Sequence, residues 1–91
     1  MWRLSRTDTF VRTARRLVKR DPQLAQPLAS ALKMLAEDPR NPRLRLHRLK
    51  GPLKGLWSVR VTFSIRLVIT LDSEDEHITL LDVGAHDEVY R

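Results

Sequence analysis

Arg60 and Arg66 have the spacing in this chain that most directly suggests chemistry. Trp57, Val59, Val61 and Phe63 alternate with Ser58, Arg60, Thr62 and Ser64; Ile65, Leu67, Ile69 and Leu71 then alternate with Arg66, Val68 and Thr70. Two alternating runs this close together join only as a hairpin, and residues that face each other across a hairpin share one face of the sheet. The register that pairs Trp57 with Ile69, Val59 with Leu67 and Val61 with Ile65 also sets Arg60 opposite Arg66. A register shifted by two separates the arginines diagonally. Directly opposed like charges are unfavourable in a sheet. Either the two guanidiniums splay into solvent, or they hold an anion such as phosphate, whose oxygens match the guanidinium fork.

Proton-carrying groups are few. His47, His77 and His86 are the three imidazoles, and histidine exchanges protons in either direction near neutral pH. His77, beside the acidic turn Asp72–Glu76, has no neighbour that suggests chemistry and reads as exposed. Tyr90 offers a ring for base stacking or a phenolic proton; the alternative is a residue that anchors the chain end to the core. The absence of cysteine excludes disulfide scaffolds, thiolate zinc sites and thiol nucleophiles. With 3 glycines there is no Gly-rich phosphate loop. No apolar run approaches the roughly 20 residues of a membrane span. The start, Met1 to Arg6, lacks the apolar region of a secretory signal, so a cytoplasmic protein is expected.

Charge narrows the partner. The 91 residues carry 17 Lys and Arg against 11 Asp and Glu, a net +6. The excess is uneven. Residues 72–91 hold seven carboxylates and one arginine, and the remaining chain is strongly basic. No acidic residue lies between Asp38 and Asp72, where Arg40, Arg43, Arg45, Arg48, Lys50, Lys54, Arg60 and Arg66 fall. Such a stretch suits a polyanion, nucleic acid before anionic membrane; a solvated basic face is the plainer reading.

These residues need elements to position them. Trp2 and Leu4 alternate with Arg3 and Ser5 as a first strand, with Trp2 undecided between core and edge. Thr7 or Asp8 caps a helix whose apolar stripe is Phe10, Ala14, Leu17 and Val18, with Arg12, Arg15, Arg16 and Lys19 on its other face. Asp21-Pro22 starts a second helix with the stripe Leu24, Leu28, Ala31, Leu32 and Leu35, ended by Glu37-Asp38-Pro39. Pro27 either kinks that helix or marks its true start. Leu44 to His47 alternates as a strand, and Gly51-Pro52 and Gly55 form a loop. Trp57, Val59 and Phe63 read as core. Ile78–Val83 is the last strand, and Gly84 opens a short tail. The expectation is one α+β domain over residues 1–91, of order βααβββ(β), with two antiparallel N-terminal helices packed on a four-stranded, mainly antiparallel sheet.

Several segments together resemble the RelE/ParE toxin superfamily of bacterial type II toxin–antitoxin systems, nearest the YafQ and RelE mRNA interferases. They are Arg40–Lys50, Gly55–Val61, Ile65–Ile69 and Leu80–Tyr90. The resemblance implies a RelE-like fold and ribosome-dependent cleavage of mRNA in the A site, with no metal and no cofactor. The 2′-hydroxyl attacks the adjacent phosphate and the 5′-oxygen of the next nucleotide leaves. Such a reaction asks for a base, an acid and cations at the phosphorane. By this resemblance Arg66 meets the scissile phosphate, Arg60 matches a lysine of RelE, Tyr90 the C-terminal aromatic, and His86 and His47 two histidines of YafQ. Which of His47, His86 and Tyr90 is base and which acid stays open. Asp87 or Glu88 orients the His86 imidazole, pairs with Arg66, or stands in solvent.

Ser58 and Ala85 depart from RelE, where a lysine and an arginine stand. The YafQ His and Asp between the two central strands have no counterpart around Thr62–Ser64. Arg45, Arg48, Lys50 and Lys54 are expected on the RNA backbone, and Arg12, Arg15, Arg16 and Lys19 on ribosomal RNA. The implied partners are the ribosome with its mRNA and a cognate antitoxin that folds around the toxin; the free toxin would be a monomer and the antitoxin complex larger. A ParE-like, non-catalytic inhibitor of DNA gyrase is the alternative within the superfamily. A non-toxic nucleic-acid-binding module is what charge alone suggests.

Overall fold

The computed structural model describes residues 1–90. Strand β1 (Arg3–Arg6) leads into helix α1 (Asp8–Arg20) and, through a 3-10 turn at Pro22–Leu24, into helix α2 (Ala25–Glu37). Strands β2 (His47–Arg48), β3 (Trp57–Arg60), β4 (Ile65–Asp72) and β5 (His77–Ala85) follow, and one short helix, α3 (His86–Val89), closes the described chain. The class is α+β, as expected, but the arrangement differs. The sheet has five strands in the order β1-β5-β4-β3-β2, and β1 runs parallel to β5. Among the described residues no helix is long and apolar enough to cross a membrane.

Local chemistry explains both helix starts. Thr7 is the cap of α1: its hydroxyl oxygen accepts the Phe10 N–H at 3.1 Å and donates to the Leu80 carbonyl at 2.9 Å, which ties the helix start to β5. Asp8 in the first turn and Lys19 and Arg20 in the last suit the helix dipole. Asp21 caps the 3-10 turn rather than α2. Pro27 therefore falls in the first turn of α2, where its missing N–H has no helical acceptor to lose.

Of the two registers the sequence allows, the hairpin takes the one that opposes the arginines. Trp57 pairs with Ile69, Val59 with Leu67 and Arg60 with Arg66. One face of the sheet carries Val59, Ile65, Leu67, Ile69, Ile78, Leu80 and Val83, all buried in one core with Phe10 and Leu17 of α1 and Leu28, Ala31 and Leu35 of α2. Leu67 is 0% exposed on the strand that pairs on both sides. Leu67→Ala is expected to lower unfolding stability by about 2–5 kcal/mol, measurable by urea titration, because neighbours on both strands hold the cavity open.

Further expectations are corrected, among them the exposure expected of His77. The strand expected over 44–47 begins only at His47: Pro42–Leu44 is a 3-10 turn closed by the Asn41 side chain on the Arg43 N–H at 3.0 Å. Leu44 is buried as the anchor of that turn, so the 44/46 alternation has another cause. Phe63 is not core but 83% exposed. Strand β3 stops at Arg60, and the Thr62 hydroxyl takes the N–H groups of Ser64 and Ile65 at 3.3 and 3.2 Å, which bends the chain before Phe63 could continue the alternation. Gly84 belongs to β5 and the tail begins after it, as α3. Trp2 is half-buried against the core, and His77 is half-buried and bonded to the Ser5 hydroxyl at 2.6 Å.

Candidate functional site

The second face of the sheet carries the polar groups. Arg60 of β3, Arg66 of β4 and Gly84 of β5 lie in register across three strands. A glycine there leaves no side chain beside Arg66. A methyl group at Gly84 would meet Glu88 Oε1 and Val89 Cγ1 of α3, each at 3.3 Å, so α3 lies directly on this face. The short helix is held by a Glu88 carboxylate oxygen that accepts the Ala85 N–H at 3.0 Å, and by an exposed ion pair of Glu88 with Arg20 at 3.9 Å. The carboxylate is the stronger tether, because exposed ion pairs contribute little.

Arg66 has a fixed head. Its Nη1 donates to the Thr62 carbonyl at 2.7 Å and reaches the Ile65 carbonyl at 3.4 Å. Arg60 lies over the ring of Phe63, with Cζ 5.5 Å from the centroid. Among the described residues neither arginine forms an ion pair. Two guanidiniums in register with no carboxylate to neutralise them form a local concentration of positive charge on a half-buried surface.

The proton carriers converge beside this pair. His47 of β2 lies opposite Ser58 of β3. Ser58 is 0% exposed, and its hydroxyl is hydrogen-bonded to the Tyr90 hydroxyl. Tyr90 meets His86 edge to face, with centroids 4.4 Å apart and planes at 89°. His47, His86 and Tyr90 line one hollow of about 310 Å³ with Leu49, Lys50, Pro52 and Leu53. His47 Nδ1 lies 3.0 Å from the Arg45 carbonyl oxygen. A carbonyl only accepts, so Nδ1 is the donor in this bond, and Nε2 is the ring nitrogen left free of it. His86 Nδ1 lies 3.8 Å from an Asp87 carboxylate oxygen, and both side chains are exposed. Asp87 is thus the acid beside the imidazole, while Glu88 is occupied with the backbone of Ala85.

The other basic candidates are more scattered. Arg45, in a left-handed conformation at φ 47° at the end of the Pro42–Leu44 turn, and Lys50 and Lys54 of the β2–β3 loop are exposed. Arg48 covers the ring of Trp57, with Cζ 5.0 Å from the centroid, so it also shields that half-buried indole from water. Arg12, Arg15 and Lys19 are exposed on α1, which packs on the opposite, apolar face, and are not gathered with the arginine pair. Arg16 comes nearer: with Thr13 and Arg20 it lines a hollow shared with Asp82, Glu88 and Val89. Among the described residues no three His, Asp or Glu side chains come together as metal ligands.

Ser58 is the site residue that sequence reasoning missed. A serine on the arginine face of a strand reads as solvated; buried, it needs a hydrogen-bond partner, and Tyr90 supplies one.

The same architecture occurs in solved toxins. YafQ from Escherichia coli matches over 100% of both chains with a TM-score of 0.82 at 15% identity. A metal-bound toxin from Helicobacter pylori matches over 98% of this chain and 99% of its own, with a TM-score of 0.79 at 27% identity. The fold is that of the RelE-like toxins. A YoeB/ParE toxin from Agrobacterium tumefaciens shares it at a TM-score of 0.76, over 92% of this chain and 98% of its own, at 18% identity. YafQ in its complex with DinJ, also from E. coli, matches over 100% of both chains at a TM-score of 0.81 and 16% identity. By sequence alone no family model and no curated protein matches this chain. The likeness therefore resides in the RelE-like arrangement of strands and helices, with side chains largely its own.

Proposed function

We propose that this protein is the toxin of a type II toxin–antitoxin pair and acts as a ribosome-dependent mRNA endoribonuclease. The observation that carries the reading is the convergence of His47, His86 and Tyr90 on one hollow, beside an arginine pair that has no acidic partner among the described residues. In this reading Arg60 and Arg66 hold the scissile phosphate and stabilise the charge that develops as the 2′-oxygen attacks. A base takes the 2′-hydroxyl proton, the P–O5′ bond breaks, and an acid gives the 5′-oxygen its proton, leaving a 2′,3′-cyclic phosphate and a 5′-hydroxyl. We assign the base to His47, whose Nε2 is free of the bond to Arg45, and the acid to His86.

Tyr90, held by Ser58, is placed to stack on or hydrogen-bond the nucleotide. Arg45, Arg48, Lys50 and Lys54 ring the hollow's loop and suit the mRNA backbone; the basic face of α1 suits ribosomal RNA. The complex of YafQ with DinJ supports an antitoxin partner for this chain too. We take the free toxin to be a cytoplasmic monomer of one domain.

Purified protein added to a translation extract tests the reading. Cuts mapped to A-site codons on stalled ribosomes are the expected result. Intact mRNA, with gyrase supercoiling inhibited instead, would overturn it in favour of a non-catalytic ParE-like toxin.

A further inference from the structure

Phe63 is at odds with its surroundings. It is 83% exposed, and among the described residues only Met1 is another large apolar side chain so exposed. The bend that presents it is well fixed. The Val61 and Thr62 N–H groups both donate to the Ile65 carbonyl, at 2.9 and 3.2 Å. The Thr62 hydroxyl holds the other side of the bend, and Arg66 Nη1 grips the Thr62 carbonyl at 2.7 Å. An aromatic ring on such a bend loses little conformational freedom when something covers it, since its backbone is already ordered.

Position along β3 indicates what would cover it. Ser58, joined to Tyr90, comes first; Arg60, opposite Arg66, follows two residues on; Phe63 stands just past the strand end. The Arg60 guanidinium lies over the Phe63 ring, so the ring is on the arginine side of the sheet. A proton-transfer hollow, a pair of guanidiniums and an exposed aromatic ring with Arg60 over one face thus succeed one another along one strand and the bend that follows it. Phosphate and an unpaired base are the two parts of a single-stranded nucleotide that match a guanidinium pair and an aromatic face. A protein partner would ask for an apolar patch, and here one ring stands among guanidiniums.

We infer that Phe63 is a stacking platform for one nucleobase next to the phosphate held by Arg60 and Arg66. The identity of that phosphate as mRNA rests on the endoribonuclease reading; the stacking does not require cleavage.

The test uses the full chain and a short 2′-O-methyl RNA, which cannot be cut because its attacking hydroxyl is blocked. Affinity is measured by fluorescence anisotropy for the intact oligonucleotide and for a series with one abasic position stepped along it. For the wild type, one abasic position should weaken binding about 5- to 150-fold, the contribution of one stacked base. Phe63→Ala should weaken the intact oligonucleotide by the same factor and show no further loss at that position. Phe63→Trp should restore both. Wild-type affinity in Phe63→Ala, an equal loss on intact and abasic strands, or no binding of any oligonucleotide overturns the inference. A base-dependent Phe63 effect in a protein that cuts no mRNA on ribosomes leaves the platform standing and removes the endoribonuclease reading. Ribosomal cleavage with a silent Phe63 does the reverse.

Discussion

Arg66→Ala is expected to lower mRNA cleavage on the ribosome by about 10²- to 10³-fold, the usual effect of removing one donor from a developing oxyanion. The protein should stay folded. Arg66 is half-buried, and the substitution removes only its bonds to the Thr62 and Ile65 carbonyls, a loss of about 1 kcal/mol. Urea titration of the same preparation separates this from unfolding. Arg66→Lys should recover little. A guanidinium has five donors and can grip the bend with one nitrogen while presenting the rest; an ammonium in that position must choose between the bend and the phosphate. Full activity in Arg66→Lys would mean that charge alone suffices and that the grip on Thr62 is incidental. Full activity in Arg66→Ala would remove the phosphate role altogether.

The arginine pair was legible because strand alternation and a tight hairpin together leave few registers. What the sequence did not reveal lies on the same sheet face. Alternation predicts that residues opposite a buried row are solvated, yet Ser58 and Val68 are buried there. The cause is α3. Its Val89 packs on Gly84, and Tyr90 just beyond it bonds Ser58. One helical turn is too short to leave a periodic signature, so the tail reads as a loop. His47 and His86 are separated by three strands in sequence, and their meeting depends on that tail folding back. Phe63 failed for a local reason. The register that sets Arg60 opposite Arg66 puts residue 63 at the tip of the hairpin, where the Thr62 hydroxyl accepts the Ser64 and Ile65 N–H groups, and apolar alternation by itself does not mark that tip.

The division of labour between the histidines can be decided by the leaving group. On ordinary mRNA, His47→Ala and His86→Ala should each slow cleavage by about 10²- to 10⁴-fold, so the loss alone does not tell base from acid. An mRNA with sulfur in place of the 5′-bridging oxygen at the scissile position changes the requirement, because a thiolate departs without a proton. His86→Ala should then cut at nearly the wild-type rate, while His47→Ala stays slow because the 2′-hydroxyl still needs a base. The geometry gives the reason. The Arg45 carbonyl fixes the proton of His47 on Nδ1 and leaves Nε2 to receive one. His86 stands beside the Asp87 carboxylate, a partner for the ring in its charged, proton-donating form. Arg45, the left-handed residue that ends the Pro42–Leu44 turn, supplies that carbonyl. Rescue of His47→Ala in place of His86→Ala would reverse the assignment. Rescue of neither, with Tyr90→Phe rescued instead, would make the tyrosine the acid and Ser58 the residue that aims its proton. Single-turnover cleavage on programmed ribosomes reads all three cases with the same two substrates.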